Sequence, residues 1–205
     1  GEILLRGPNM VTGYLDMPEE TAALWTDDGW MRTGDLGELD DEGFLSITGR
    51  KKDLLITAGG KNVAPAEMEN HLAAIPGVGQ AVVVGDRQPY LCALLALEEE
   101  ALPDLCKAAG VPLAPLAEIA GNEQVLAFLA DRVEEQCNSK VARYQTIKKF
   151  EVLPHMLSVE GGELTPTMKV KRNIINDKYK AIIDRMYASG GGDSFKPQQS
   201  AQPAR

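Results

Sequence analysis

Cysteine is scarce: Cys92, Cys106 and Cys137 are the only three in 205 residues, an odd number, widely spaced and in no CxxC pattern. That excludes a disulfide-stapled fold and a thiolate metal cage, and it points to free thiols in a reducing compartment, by default the cytoplasm. Histidine is scarcer still. His71 falls in an expected helix and His155 follows Pro154 in an expected loop; neither has a nucleophile partner in the sequence, so both read as structural. Aromatics make up 5% of the chain, and Trp25 and Trp30 read as packing residues rather than a stacking platform. No apolar run approaches the roughly 20 residues of a membrane-spanning helix; the longest, such as Leu91–Leu97, are strand-sized. The start shows no initiator Met, basic n-region or apolar h-region, so the sequence reads as a fragment.

What is present is an ordinary globular composition, 44% hydrophobic and 25% charged, sufficient for a buried core. The net charge of -9 is unevenly spread. Residues 1–139 hold 9 basic and 24 acidic side chains, whereas residues 140–188 hold 10 basic and 5 acidic. A basic end fits a nucleic-acid or membrane partner, a surface that meets a phosphate-bearing ligand, or simply a solvated basic helix.

The pattern along the chain is mixed. Residues 2–6 read as a strand, Pro18 opens a short helix, and Asp27-Asp28-Gly29 is a turn. Residues 36–39 and 44–48 flank Asp40-Asp41-Glu42-Gly43 as a hairpin, and residues 53–57 read as a further strand. Pro65 suits the first turn of a helix whose Met68, Leu72 and Ile75 share a face, and strands follow at 80–84 and 91–97. From Glu98 the pattern is helical, broken by Pro103, Gly110, Pro112 and Pro115, with Asn122 as N-cap of a helix through Val125, Leu129 and Val133. Residues 147–153 return to strand, 158–167 read as loop, and Ile174, Ile175, Ile182 and Met186 mark one last helix. Residues 189–205 are rich in Gly, Ser, Gln and Pro and read as a disordered tail.

Four segments could carry chemistry. In Thr33-Gly34-Asp35 a carboxylate follows a glycine, where the backbone can aim it into a cleft to accept two sugar hydroxyls; taken alone it would be a turn residue. Gly49-Arg50-Lys51-Lys52-Asp53 is a cationic cluster between two strands, which by itself could be a solvated charge run. The turn Gly59-Gly60-Lys61 allows close main-chain approach of a ligand and offers backbone N–H groups. Thr165-Pro166-Thr167-Met168-Lys169 puts a lysine on a loop just before a helix, where a mobile point cation could meet carboxylate and phosphate oxygens.

In this order and spacing the segments, with the opening Gly1-Glu2-Ile3 through Gly13-Tyr14-Leu15, resemble the adenylate-forming superfamily and within it the acyl-CoA synthetases. Thr167-Met168 stands where Ser-Gly is usual before the final lysine, a form that looks like the long-chain fatty acyl members. The resemblance implies an α+β fold: a small mobile C-terminal lid with a mixed sheet and flanking helices over residues 49–188, carrying a helical insertion at 98–141. Residues 1–48 would be the β-rich end of a large N-terminal domain whose remainder is missing from this sequence. It implies ATP, Mg²⁺ and coenzyme A as cosubstrates, a fatty acid as substrate, no nucleic-acid partner and no metal ligands on this stretch, with peripheral membrane contact left open. Asp35 and Arg50 would bind nucleotide, Lys52 would be the hinge, Gly59, Gly60 and Lys61 the loop for coenzyme A, and Lys169 the adenylation catalyst. Neither the phosphate loop ending in Pro-Lys-Gly nor the aromatic-Gly-x-Thr-Glu segment of that superfamily occurs here, so this stretch alone is expected not to catalyse adenylation. Two alternatives stand beside it: an adenylation domain that loads a carrier protein, and a non-catalytic basic interaction module.

Overall fold

A computed structural model of the chain describes residues 1–188, and the expectation of a disordered tail at 189–205 lies outside the described residues. The chain divides into two compact units, Gly1–Leu54 and Leu55–Arg205.

In the first unit three strands, β1 (Glu2–Leu5), β2 (Met31–Leu39) and β3 (Leu45–Arg50), form an antiparallel sheet in that order, with a short helix α1 (Pro18–Ala23) between the first two. Proline opens α1 because the first helical N–H needs no partner. The expected hairpin turn is held by Asp40, whose Oδ1 accepts the N–H groups of Glu42 and Phe44 at 3.0 and 2.8 Å. β2 begins five residues before the expected Leu36, since Leu4 and Leu5 of β1 pair with Arg32 and Met31 and extend the ladder.

The second unit opens with a two-stranded ladder, β4 (Leu55–Ile56) with β5 (Asn62–Val63). A strand over 53–57 was expected, but residues 51–53 form a 3-10 turn and the tight turn at Gly59-Gly60 leaves only two residue pairs. The main sheet has the order β6 (Val78–Val84), β7 (Leu91–Leu97), β8 (Ile147–Leu153). β6 and β7 are antiparallel, whereas β7 and β8 are parallel. A parallel pair needs a long crossover, and here it runs through α3 (Leu102–Ala109), α4 (Leu116–Ile119) and α5 (Glu123–Gln136). Asn122 caps α5 as expected, its Oδ1 accepting the N–H groups of Gln124 and Val125. Gly110 ends α3 in the left-handed conformation at φ 72°. The result is the expected α+β architecture with a mixed sheet and flanking helices.

All seven residues of β7 are buried, as a central strand covered on both faces requires. Leu91, Ala93, Leu95 and Leu97 point into one apolar cluster with Met68 and Leu72 of α2 (Pro65–Ala73) and Leu129 of α5. Cys92, Leu94 and Ala96 point into a second cluster with Ile175 and Met186. The period of two splits one strand between two cores.

The single last helix expected from Ile174, Ile175, Ile182 and Met186 is two helices, α6 (Arg172–Lys178) and α7 (Lys180–Ala188). The break falls at Tyr179, with φ -102° and ψ 16°. Its ring is 6% exposed and its hydroxyl donates to the buried Glu163 at 3.0 Å, a tertiary bond that an apolar period cannot signal. The expected loop at 158–167 contains the first arm of a hairpin, because Leu164 bridges Val170. Among the described residues no helix is long and apolar enough to cross a membrane.

Candidate functional site

In the first unit β2 and β3 place Asp35 opposite Arg50, and Arg50 Nε donates to Asp35 Oδ1 at 2.8 Å. The backbone reaches Asp35 through Gly34 at φ 73°, a conformation that favours glycine. Thr33 braces the turn. Its Oγ1 donates to Ile3 O at 2.9 Å and accepts the Asp35 N–H at 3.0 Å. The rest of the Arg50 guanidinium stays exposed, and Arg50, Thr33 and Gly34 line an open cleft of about 570 Å³ with Tyr14, Lys51 and Lys52. Lys51 and Arg32 both donate to Glu2 Oε2, at 3.0 and 3.2 Å, and the Lys51 hydrogen bond is the main reason the Glu2 carboxyl sits below the ordinary carboxylate range. Lys52 is exposed in the 3-10 turn just before the division between the units, and it has no ion pair among the described residues.

The second unit carries the remaining predicted residues on two separate turns. Gly59, Gly60 and Lys61 close the β4–β5 turn, where Gly60 N–H donates to Thr57 O at 2.8 Å and Lys61 N–H to Thr57 Oγ1 at 3.2 Å. Gly60 lies at φ 72°, and a Cβ there would meet nothing within 4 Å; conformation rather than crowding demands the glycine. The Lys61 ammonium lies 5.9 Å from the centroid of the Tyr144 ring.

Lys169 ends the tip of the hairpin that joins Leu164 to Val170. Thr165 N–H donates to Lys169 O at 2.8 Å, and Thr165 Oγ1 accepts the Lys169 N–H at 3.0 Å. The Lys169 side chain is exposed and forms no ion pair among the described residues. Met168 beside it adopts φ 62°, so a bulky residue occupies a left-handed position usually left to glycine.

Two networks beneath this hairpin were not foreseen. Arg172 Nη2 bonds both Glu69 oxygens at 2.7 Å and its Nη1 donates to Val83 O at 3.1 Å, while Glu69 Oε1 accepts the Val83 N–H at 2.8 Å. Glu163, 1% exposed, accepts from Lys178 Nζ at 2.5 Å, Tyr179 Oη at 3.0 Å and Ser158 N at 3.3 Å. Burial opposes its ionisation, but these donors outweigh it and hold its pKa at about 2. One signal was available for Glu69: it sits between Met68 and Leu72 near the apolar face of its helix, where a carboxylate requires a cation from elsewhere.

Among the described residues no three His, Cys, Asp or Glu side chains gather as a metal cage.

Comparison with known proteins assigns the architecture. Long-chain-fatty-acid–CoA ligase FadD15 of Mycobacterium tuberculosis is 43% identical over 191 residues, covering 91% of this chain and 31% of the relative. Putative fatty-acid–CoA ligase fadD11 of the same organism is 42% identical over 212 residues, covering 100% of this chain and 36% of the relative. The chain thus spans about a third of the length of these curated relatives. The adenylation domain of carboxylic acid reductase from Segniliparus rugosus, solved with AMP and a carboxylic acid, shares the fold at a TM-score of 0.75 and 24% identity, over 92% of this chain and 28% of that one. Residues 52–190 match the family model for the AMP-binding enzyme C-terminal domain, and the chain belongs to that family.

Proposed function

We propose that the chain is the C-terminal part of an ATP-dependent fatty acyl-CoA synthetase. In the whole protein a fatty acid and ATP give acyl-adenylate and pyrophosphate, and the coenzyme A thiol then displaces AMP. Residues 1–48 are the end of the large domain, residues 49–188 form the mobile lid with its helical insertion at 98–141, and Lys52 is the hinge between them. The observation that carries this reading is the Lys169 ammonium, unpaired among the described residues on an exposed hairpin tip in a unit of this family. The similarity to two mycobacterial fatty-acid–CoA ligases supports the substrate class.

The roles follow from charge and geometry. Attack of a carboxylate on the α-phosphate brings two anions together, and a lysine is a mobile point cation that offsets both. Asp35 has one oxygen engaged by Arg50 and the other available to accept from ribose, while the exposed guanidinium edge of Arg50 faces ribose or phosphate. The Gly59–Gly60–Lys61 turn, with open space above Gly60, suits close passage of a pantetheine chain. Mg²⁺ would balance the triphosphate charge. The chain taken alone is expected to be inactive. The free thiols of Cys92, Cys106 and Cys137 support a reducing compartment, the cytoplasm, with or without peripheral contact at a membrane.

The test is ATP–pyrophosphate exchange by the full-length protein over fatty acids from short to long, with Lys169→Ala alongside. Exchange that depends on a fatty acid and collapses in the variant is expected. Exchange that survives in Lys169→Ala would remove the assignment of the catalytic cation.

A further inference from the structure

The Lys169 hairpin is a short arm with three paired positions. Glu163 O accepts the Lys171 N–H at 2.8 Å, Leu164 bridges Val170, and Thr165 N–H donates to Lys169 O at 2.8 Å. Each strand of the arm ends in a side chain that is locked elsewhere in the second unit. The first strand begins at Glu163, buried and held by Lys178 and Tyr179 at the junction of α6 and α7. The second runs into Arg172, three residues beyond Lys169, whose fork grips both oxygens of Glu69 on α2 and the carbonyl of Val83 on the edge strand β6. Glu69 accepts the Val83 N–H in return, so this ion pair satisfies both main-chain groups of one residue on an otherwise open sheet edge. A planar, bidentate arginine between a helix and a strand fixes direction as well as distance.

The tip gives an independent sign that the arm is held. Met168, 64% exposed, keeps φ 62° without tertiary packing that would hold it there, and such a conformation persists only when its surroundings over-determine it. The turn bonds of Thr165 supply part of that constraint, and the pinned roots supply the rest.

Taking Lys169 as the adenylation cation, which rests on the function proposed above, we infer that Arg172 and Glu69 are positioning residues for it. They hold the arm so that the ammonium reaches the reacting oxygens in a preset geometry. Losing a grip three residues away loosens the arm without removing the charge, and displacement of about 1 Å can cost about 100-fold in rate. The loss should fall on kcat of the step that uses Lys169 rather than on KM, because ground-state contacts to ATP and acid lie elsewhere.

The experiment uses the full-length protein with Lys169→Ala, Arg172→Gln, Arg172→Lys and Glu69→Gln. It measures ATP–pyrophosphate exchange, thioester formation from preformed acyl-adenylate, and amide hydrogen exchange over residues 163–172. Arg172→Gln is expected to lose about 10- to 100-fold in kcat for exchange, with KM values for ATP and acid within about threefold. Thioester formation should hold near the parent rate, and amides of the arm should exchange faster while those of β7 do not. Arg172→Lys keeps the charge without the fork and should recover only part of the loss; it also serves if Arg172→Gln does not fold. Full exchange in Arg172→Gln, or equal loss of both half-reactions, overturns the positioning role when Lys169→Ala has abolished exchange. Exchange surviving in Lys169→Ala overturns the assignment of Lys169, and the positioning role falls with it.

Discussion

The two units are built on opposite terms. In Leu55–Arg205 a three-stranded sheet lies between two apolar clusters, and every buried hydrophobic side chain among the described residues belongs to this unit. In Gly1–Leu54 there is none: Leu39, Phe44, Leu45 and Ile47 are all more than half exposed on their hairpin. The first unit holds its shape by ladder bonds, the Asp40 turn and the Glu2 ion pairs, each worth little in water. Positioning of Lys169 can therefore draw on a core, whereas positioning of Asp35 and Arg50 relies on a sheet with no buried hydrophobic side chain.

The largest test of this contrast is to separate the units. Residues 55–188 should unfold cooperatively in urea and give a dispersed amide spectrum. Residues 1–54 should do neither, since a unit of this size without a buried core cannot offset its ordering entropy. A cooperative transition from the shorter piece would break the comparison.

Within the whole chain the same contrast should appear at single residues. Leu95, fully buried in the first cluster, should cost about 2–5 kcal/mol when changed to Ala. Ile47, 69% exposed, should change stability by no more than about 0.5 kcal/mol on the same substitution. Urea midpoints at unchanged slope would measure both. Comparable losses at the two sites would mean that the first unit packs its hairpin in solution.

Much of this contrast was legible in the sequence. The buried strand at Leu91–Leu97 reads from its unbroken apolar run, the start of α5 from Asn122, and the Asp40 turn from its residues, because each signal is local. The site segments were legible as motifs. What held them was not, because the bonds are distant: Arg172 meets Glu69 at a separation of 103 residues. The break at Tyr179 was hidden for the same reason, since its cause is a hydroxyl bond to Glu163 and the apolar period runs on across it.

Acid should distinguish two buried carboxylates of the second unit. Glu163 has its pKa lowered from 4.5 to about 2, so its contribution to stability is complete above about pH 4.5 and is lost as pH falls toward 2. Glu151 is raised above 4.5, chiefly by burial with Arg185 opposing; its contribution is complete below its unfolded pKa and is lost as pH rises through its folded value. Between about pH 4.5 and 2 the acid-side loss of stability should therefore become shallower in Glu163→Gln, whereas Glu151→Gln should act above about pH 4.5, where it removes a gain in stability that accompanies falling pH. Parallel slopes would contradict the opposite signs.

The smallest effects concern two positive-φ positions on the turns of the second unit. Met168 at φ 62° and Gly60 at φ 72° have nearly the same backbone requirement, met in one case by a bulky residue and in the other by glycine. A left-handed non-glycine residue costs about 1–2 kcal/mol, and glycine returns part of any gain through its greater unfolded-state entropy. Met168→Gly should therefore stabilise the unit by about 0.5–1 kcal/mol. Gly60→Ala, with open space around the added methyl, should destabilise it by a similar amount. Met168→Ala separates the causes, since alanine keeps the left-handed cost and removes only an exposed side chain; it should sit within about 0.5 kcal/mol of the parent. If Ala and Gly at position 168 stabilise equally, the strain lies in the methionine side chain rather than in the backbone.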